Sequence, residues 1–555
     1  MKKINFIKYS LFAGVIALGV GCTNLDERII DGTDITKADP DAILTSAYNG
    51  LRAFQSQEQM FALQEASTDI LMVPTRGGDW DDNGEWRLDH SHNWTPTSRE
   101  GRNSWNALLT SVYNCDLALS IEGIAPAKKA QALFLKAFYY YHAIDFFGQV
   151  PYREAGSSPD DYPKVWTSSQ ATAQIIAMLT EALPNLAEKS SDPAVANKDA
   201  ARFLLAKIYL NKAVFDSDSH TGFNANNVAN MNEVIKYVDQ ISTAAKTTLA
   251  PDYWDNFKPA NHTSPEVIFT SKNINGVAMG GINSRWYMGS HYNQTPGGWN
   301  GFSVLGEFYD SFNPTDRRIK NGDPGIISSF GNPMGMQIGQ QYAKAGEYDE
   351  IKVDGSGNFV VTNNKFEFVL KADGKTRAKK SYASGVYPLS ARDQVGEIRL
   401  IFDKNLPDNQ IVGQADLETA GVRPQKYIPD ASNLDKPEND YVFFRYADAL
   451  LMKAEALARG GAATAVAPLT QADIATMLDD RDGITTVTDL STLAGILKAR
   501  GNELWAEGWR RNDMIRFGTY TTARRTMKNT DAYRVLMPIP SSALINPNIK
   551  QNPGY

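Results

Sequence analysis

The chain has 555 residues, and its 56 Lys and Arg stand against 63 Asp and Glu, a formal charge of −7 spread without a basic run. That balance excludes a nucleic-acid binder, because phosphate recognition needs concentrated cations. Six histidines and two cysteines offer little material for a zinc site, so no metal and no cofactor are expected.

The first element is an address. Lys2, Lys3 and Lys8 lead into an apolar run from Leu11 to Val20, followed by Gly21-Cys22. A basic start, a short apolar stretch and a small residue at the boundary describe a secretory signal peptide, here residues 1–21. As a helix the run reaches only about 15 Å, about half of a hydrocarbon core, so it directs export and does not span. The Gly21-Cys22 junction resembles the lipobox of bacterial lipoproteins, in which the thiol is acylated and the chain is cut so that Cys22 comes first; Gly19 stands where that pattern prefers leucine. Asp26 and Glu27 resemble the surface-export signal of Bacteroidetes lipoproteins. With Cys22 acylated only Cys115 remains, so the mature chain forms no internal disulfide and burial must hold it together. The expected membrane contact is a lipid anchor.

Helical periodicity follows. From Lys128 to Phe147 the positions Leu133, Ala137, Tyr140, Ile144 and Phe147 step by three and four, placing them on one helix face, with Gly148 and Pro151 as stop signals. Further helices are predicted from Thr167 to Leu186, after Asp199 through Phe215, and from Asn232 to Ile241. Small residues such as Ala132, Ala137, Ala201 and Ala206 alternate with aromatics, as close-packed helical hairpins require. The fold class is mainly α, a tetratricopeptide-like hairpin scaffold over about 38–250. Between about 250 and 440 glycine, asparagine and aromatics replace helical spacing, which predicts a loop-rich insert with a few short β-hairpins. One is expected where Glu350–Val353 and Phe359–Val361 flank a turn at Asp354–Asn358. Helix returns at Tyr446–Arg459, with Glu455 and Arg459 spaced for an i,i+4 pair. Residues 441–555 form a C-terminal helical part, and 22–555 read as a single domain.

Several segments resemble the SusD/RagB family of nutrient-binding outer-membrane lipoproteins, in order and across nearly the whole mature chain. Ala130–Tyr152 (AQALFLKAFYYYHAIDFFGQVPY) is similar to the family's aromatic helix and its exit. Asp440–Ala458 (DYVFFRYADALLMKAEALA), Glu503–Gly518 (ELWAEGWRRNDMIRFG) and the end from Met537-Pro538-Ile539-Pro540 to Gln551–Tyr555 follow, with echoes at Pro265–Phe269 and Asn313–Arg318. The resemblance implies a surface protein that captures oligosaccharide without altering it and delivers it to a SusC-type TonB-dependent transporter. Charges in these motifs, among them Arg445, Asp448, Glu507, Arg510 and Asp513, have the spacing of ion pairs and helix ends, Glu507 with Arg511 included, and read as scaffold.

Motifs for catalysis are absent from the sequence: no Gly-x-Ser-x-Gly, no phosphate loop and no His-Glu-x-x-His occurs. A surface glycan hydrolase and a binder of another nutrient such as peptide are the alternatives. The most unusual segment is Arg76–Trp94, RGGDWDDNGEWRLDHSHNW, rich in tryptophan and in short polar side chains. Sugar rings present apolar C–H faces ringed by hydroxyls, so flat aromatics beside Asp, Asn and Arg suit both surfaces. Arg76, Asp79, Trp80, Asn83 and Trp86 are therefore candidate glycan contacts. Asp79, Asp81 and Asn83 also have calcium-loop spacing, but His90 stands where the bidentate Glu belongs. A second cluster, Trp286, Tyr287, Tyr292 and Trp299, lies in the loop-rich insert, where the resemblance also implies ligand aromatics.

Overall fold

The computed structural model describes residues 38–555 except 155–159, 223–226, 245, 278–279, 392–397, 407–414, 525–526 and 528. The expected leader, residues 1–21, and Cys22 lie outside the described residues. Helices carry the first half: α1 (Pro40–Asn49), α2 (Glu85–Ser91), α3 (Arg99–Leu119), α4 (Pro126–Phe147), α5 (Ser168–Ala182), α6 (Lys198–Phe215) and α7 (Val228–Thr243). Their ends follow from capping chemistry. Pro126 opens α4 and Gly148, at φ +67°, closes it. A reciprocal capping box between Thr167 and Gln170 starts α5. Asn227 accepts from the Asn230 N–H and starts α7 earlier than the expected Asn232.

The helices pack as successive hairpins, α3 on α4, α4 on α5 and α6 on α7, as the mainly helical expectation has it. At the centre lies α4, whose side chains are buried on almost every face from Ala130 to Phe147. A helix that is apolar all round belongs in a core. The sequence did not announce α3, because its buried side includes Glu100, Ser104 and Ser111, which interrupt the apolar period.

Between 250 and 440 the described residues form short antiparallel strand pairs, 3-10 turns and the short α-helices α8 (Ser284–Tyr287), α9 (Gly306–Tyr309) and α10 (Pro324–Phe330). The expected hairpin forms, with Val353 opposite Phe359 across the Asp354–Asn358 turn. Strand Gly346–Asp349 pairs with Lys379–Tyr382 beside it. Val267–Ser271 pairs with Tyr441–Arg445, which leads directly into α11 (Tyr446–Ala458). The remainder is α12 (Gln471–Asp482), α13 (Leu493–Leu504) and α14 (Arg510–Arg516), with α11 packed on α7 and α13.

Charges bind these layers from inside. Arg445 reaches Glu266 at 2.8 Å, Glu507 at 2.7 Å, and Glu503, all of them buried. Arg481 joins Glu266, Asp482 and Glu503, and Arg318 joins Asp316 and Glu503. Burial alone would raise the Glu503 carboxyl, yet Arg481, Arg445 and Arg318 hold it well below the usual carboxylate range. The scaffold reading of these motif charges fits, but one expected pair does not form. Glu455 and Arg459 meet at 2.9 Å as predicted. Glu507 instead faces Arg445 and Lys426, and Arg511 faces Asp145. The cause is local: Ala506 at φ +55° and Gly508 at φ +84° break the helix, so residues 507 and 511 do not share one.

Candidate functional site

The two aromatic segments singled out in the sequence meet in space. Arg76 and Asp79 exchange backbone hydrogen bonds of 2.9 and 3.0 Å around Gly77-Gly78, a tight turn that lifts Trp80. The Trp80 indole N–H donates to the Trp299 carbonyl at 2.7 Å, across 219 positions of sequence. Beneath it lies Gly301, where a Cβ would stand 2.4 Å from the Trp80 ring, so only glycine admits this approach. Trp80, Asn83 and Asn300 carry φ values of +59°, +55° and +54°. Side chains rarely adopt this conformation, and it persists where the surroundings over-determine it, as ligand loops do.

From the other side, Trp299 donates its backbone N–H to the Tyr287 carbonyl at 2.6 Å, and the two rings lie 5.7 Å apart at 49°. The Tyr287 hydroxyl donates to Asp435 Oδ1 at 2.9 Å. Partial burial and that carboxylate push the phenol up to about 12, so it keeps its proton and remains a donor. Trp299 is 45% exposed and Tyr292 51%. Tyr292 bonds to the Ala391 carbonyl at 2.7 Å and to Glu418. Trp80 and Tyr287 are half-buried, while Asp79, Asn83 and Asp435 are exposed. The surface thus combines ring faces with carboxylates and amides.

Three expected contacts are corrected by burial. Trp86 is 1% exposed and Trp286 0%, so neither offers a ring face to a ligand. Trp86 is walled by Phe302 at 5.3 Å and donates to Asp82 at 2.8 Å, and so supports Trp80 from below. Arg76 is also buried, and its guanidinium donates to the carbonyls of Gly301, Ala420 and Leu417 and to the Ser303 hydroxyl. It staples loops together and does not face outward. Sequence reasoning missed Asp435 and Glu418, because nothing in their local pattern sets them apart; only the fold brings them to Tyr287 and Tyr292.

A cavity of about 590 Å³ lies elsewhere, under Leu305, Phe308, Leu497 and Phe517, and shares no lining residue with the aromatic surface. Arg510 at its wall is already held by both oxygens of Asp69, at 2.7 and 2.8 Å. Among the described residues no group of three or more His, Cys, Asp or Glu side chains is gathered as a metal site, and no helix is long and apolar enough to cross a membrane.

Comparison with known proteins places this fold. A family model described as the SusD family matches residues 265–555, and one described as "Starch-binding associating with outer membrane" matches 25–210. Starch-binding protein SusD of Bacteroides thetaiotaomicron is 26% identical over 513 residues, which is 86% of this chain and 82% of that protein. Surface glycan-binding protein A of the same species, solved in complex with laminarihexaose, superposes with a TM-score of 0.61 at 18% identity, covering 92% of this chain and 98% of that one. A SusD superfamily protein of Parabacteroides distasonis reaches a TM-score of 0.64 at 18% identity, covering 93% and 98%.

Proposed function

This chain belongs to the SusD family, and on that premise we propose that it captures oligosaccharide at the Trp80–Tyr287–Trp299 surface and passes it on without cleaving it. The observation that carries this reading is the junction of two distant aromatic loops at one exposed face, with Asp79, Asn83 and Asp435 beside the rings. Pyranose rings need apolar contact on a face and hydrogen bonds around the rim, and this surface offers both. Starch and laminarihexaose, bound by the relatives named above, are ligands of that chemistry. The recipient is a SusC-type TonB-dependent outer-membrane transporter, and the tether is an acyl group on Cys22; both rest on the family and on the leader. Asp79, Asn83 and Tyr292 complete the ligand surface, and Arg76, Trp86 and Trp286 support it from behind.

Affinity electrophoresis in gels containing laminarin, amylopectin, inulin, xylan, mannan or galactan tests the proposal. Retardation by at least one polysaccharide, with no release of reducing ends, is expected. Retention by none, or turnover, overturns it. Co-purification of the transporter with the acylated protein, lost in Cys22→Ala, tests the delivery step.

A further inference from the structure

A second hollow opens on the hairpin insert, of about 260 Å³, lined by Tyr348, Asp349, Phe368, Lys379, Tyr387 and, from the first site's own loop, Asn293. Its rings are arranged. Tyr348 and Tyr387 stack at 4.5 Å and 15°, and Tyr382 lies 4.9 Å from Tyr387. Neither stacked ring belongs to either hydrophobic core cluster, and both are half-buried at the surface. Rings outside the core that line a hollow leave apolar surface that a ligand can cover. The polar frame is equally built. Asp349 is held by Arg377 at 3.2 Å and Lys379 at 3.1 Å, and Asn293 donates to the Ser390 carbonyl at 2.8 Å on the hollow's rim.

Asn293 also ties this hollow to the first surface. It follows the exposed Tyr292, on the loop that runs from Tyr287, the last residue of α8, to Trp299. From Asn293 to Trp299 a fully extended chain reaches at most about 20 Å, so the edge of the hollow at Asn293 and the Trp299 position lie within the span of a short oligosaccharide. We propose that the Tyr348–Tyr387 hollow is a second sugar-ring subsite, and that the ligand is a chain long enough to pass from Trp299 over Tyr292 into it. This rests on the capture reading above and adds what that reading leaves open, the length of glycan the protein prefers.

Calorimetric titration with three-unit and seven-unit fragments of whichever gel polysaccharide retains the protein separates the two claims. Joint Tyr348→Ala and Tyr387→Ala is expected to weaken the seven-unit fragment by about 5- to 160-fold, the range for loss of one stacked ring, and to leave the three-unit fragment within twofold. Joint Tyr348→Phe and Tyr387→Phe keeps the rings and the long-chain affinity. Trp299→Ala weakens both lengths. Unchanged seven-unit binding in the alanine pair, or an equal loss for both lengths, overturns the subsite while the first surface stands. Retention by no polysaccharide, or Trp299→Ala without effect on either length, fells the first surface instead, and with it a subsite defined as its extension.

Discussion

Trp86 and Trp299 carry the same side chain to opposite ends of the burial scale, and their loss should be read by different instruments. Trp86→Ala empties a filled space against Phe302 and Trp80 and should lower stability by about 3–5 kcal/mol, seen as a fall in melting temperature. Trp299→Ala should leave the melting temperature nearly unchanged and remove about 1–3 kcal/mol of glycan affinity, by analogy with base stacking on aromatics. A stable Trp86→Ala protein with lost affinity would reverse the assignment. His142 makes a third case. Both ring nitrogens are buried without a hydrogen-bond partner, amid Phe54, Phe138 and Trp509. Burial, with Lys207 nearby, pulls the imidazole down to about 3. The folded ring therefore stays neutral while the unfolded chain gains a proton below about pH 6.5, so stability falls with acid by up to about 1.4 kcal/mol per pH unit. His142→Leu should gain on the natural protein between pH 8 and pH 5 in urea unfolding; an equal difference at both pH values refutes this. Composition marked two segments that meet in space and could not sort their members by burial. Burial at Arg76 is decided by Gly301, 225 positions away, and no local pattern reports such a neighbour.

At the scale of elements, what was legible followed from local chemistry. The α4 pattern, its Gly148 stop and the Asp354–Asn358 turn are written in adjacent residues and appear where expected. α13 was harder, because Gly495 and Gly501 dilute its period and Arg500 and Glu503 are turned inward. Those inward charges make the element testable. Glu503→Gln leaves Arg445, Arg481 and Arg318 short of a carboxylate in a dry interior, and breaking buried pairs of this kind costs about 3–5 kcal/mol. The loss should appear in denaturant unfolding at pH 7 and shrink toward pH 3. The folded carboxyl is held low, so its contribution is present above the unfolded value of about 4.3 and fades as acid protonates it. A loss that is constant over this range would place the interaction elsewhere.

At the scale of the whole molecule, the pairing of Val267–Ser271 with Tyr441–Arg445 and the packing of α7 on α11 join residues from both halves into one interior. Calorimetry should accordingly record a single cooperative transition; two resolved transitions would divide the chain into separate domains. The ion web has a further outcome for how such chains diverge. Exchanging Arg445 takes a partner from Glu266, Glu503 and Glu507 at once, and although Arg481, Arg318 and Lys426 stay in contact with them, one substitution disturbs three buried carboxylates together. The rings at 287 and 299 belong to no such web, and each can be swapped alone. Ligand preference on this framework is therefore free to wander from lineage to lineage, while the lettering beneath it is held still.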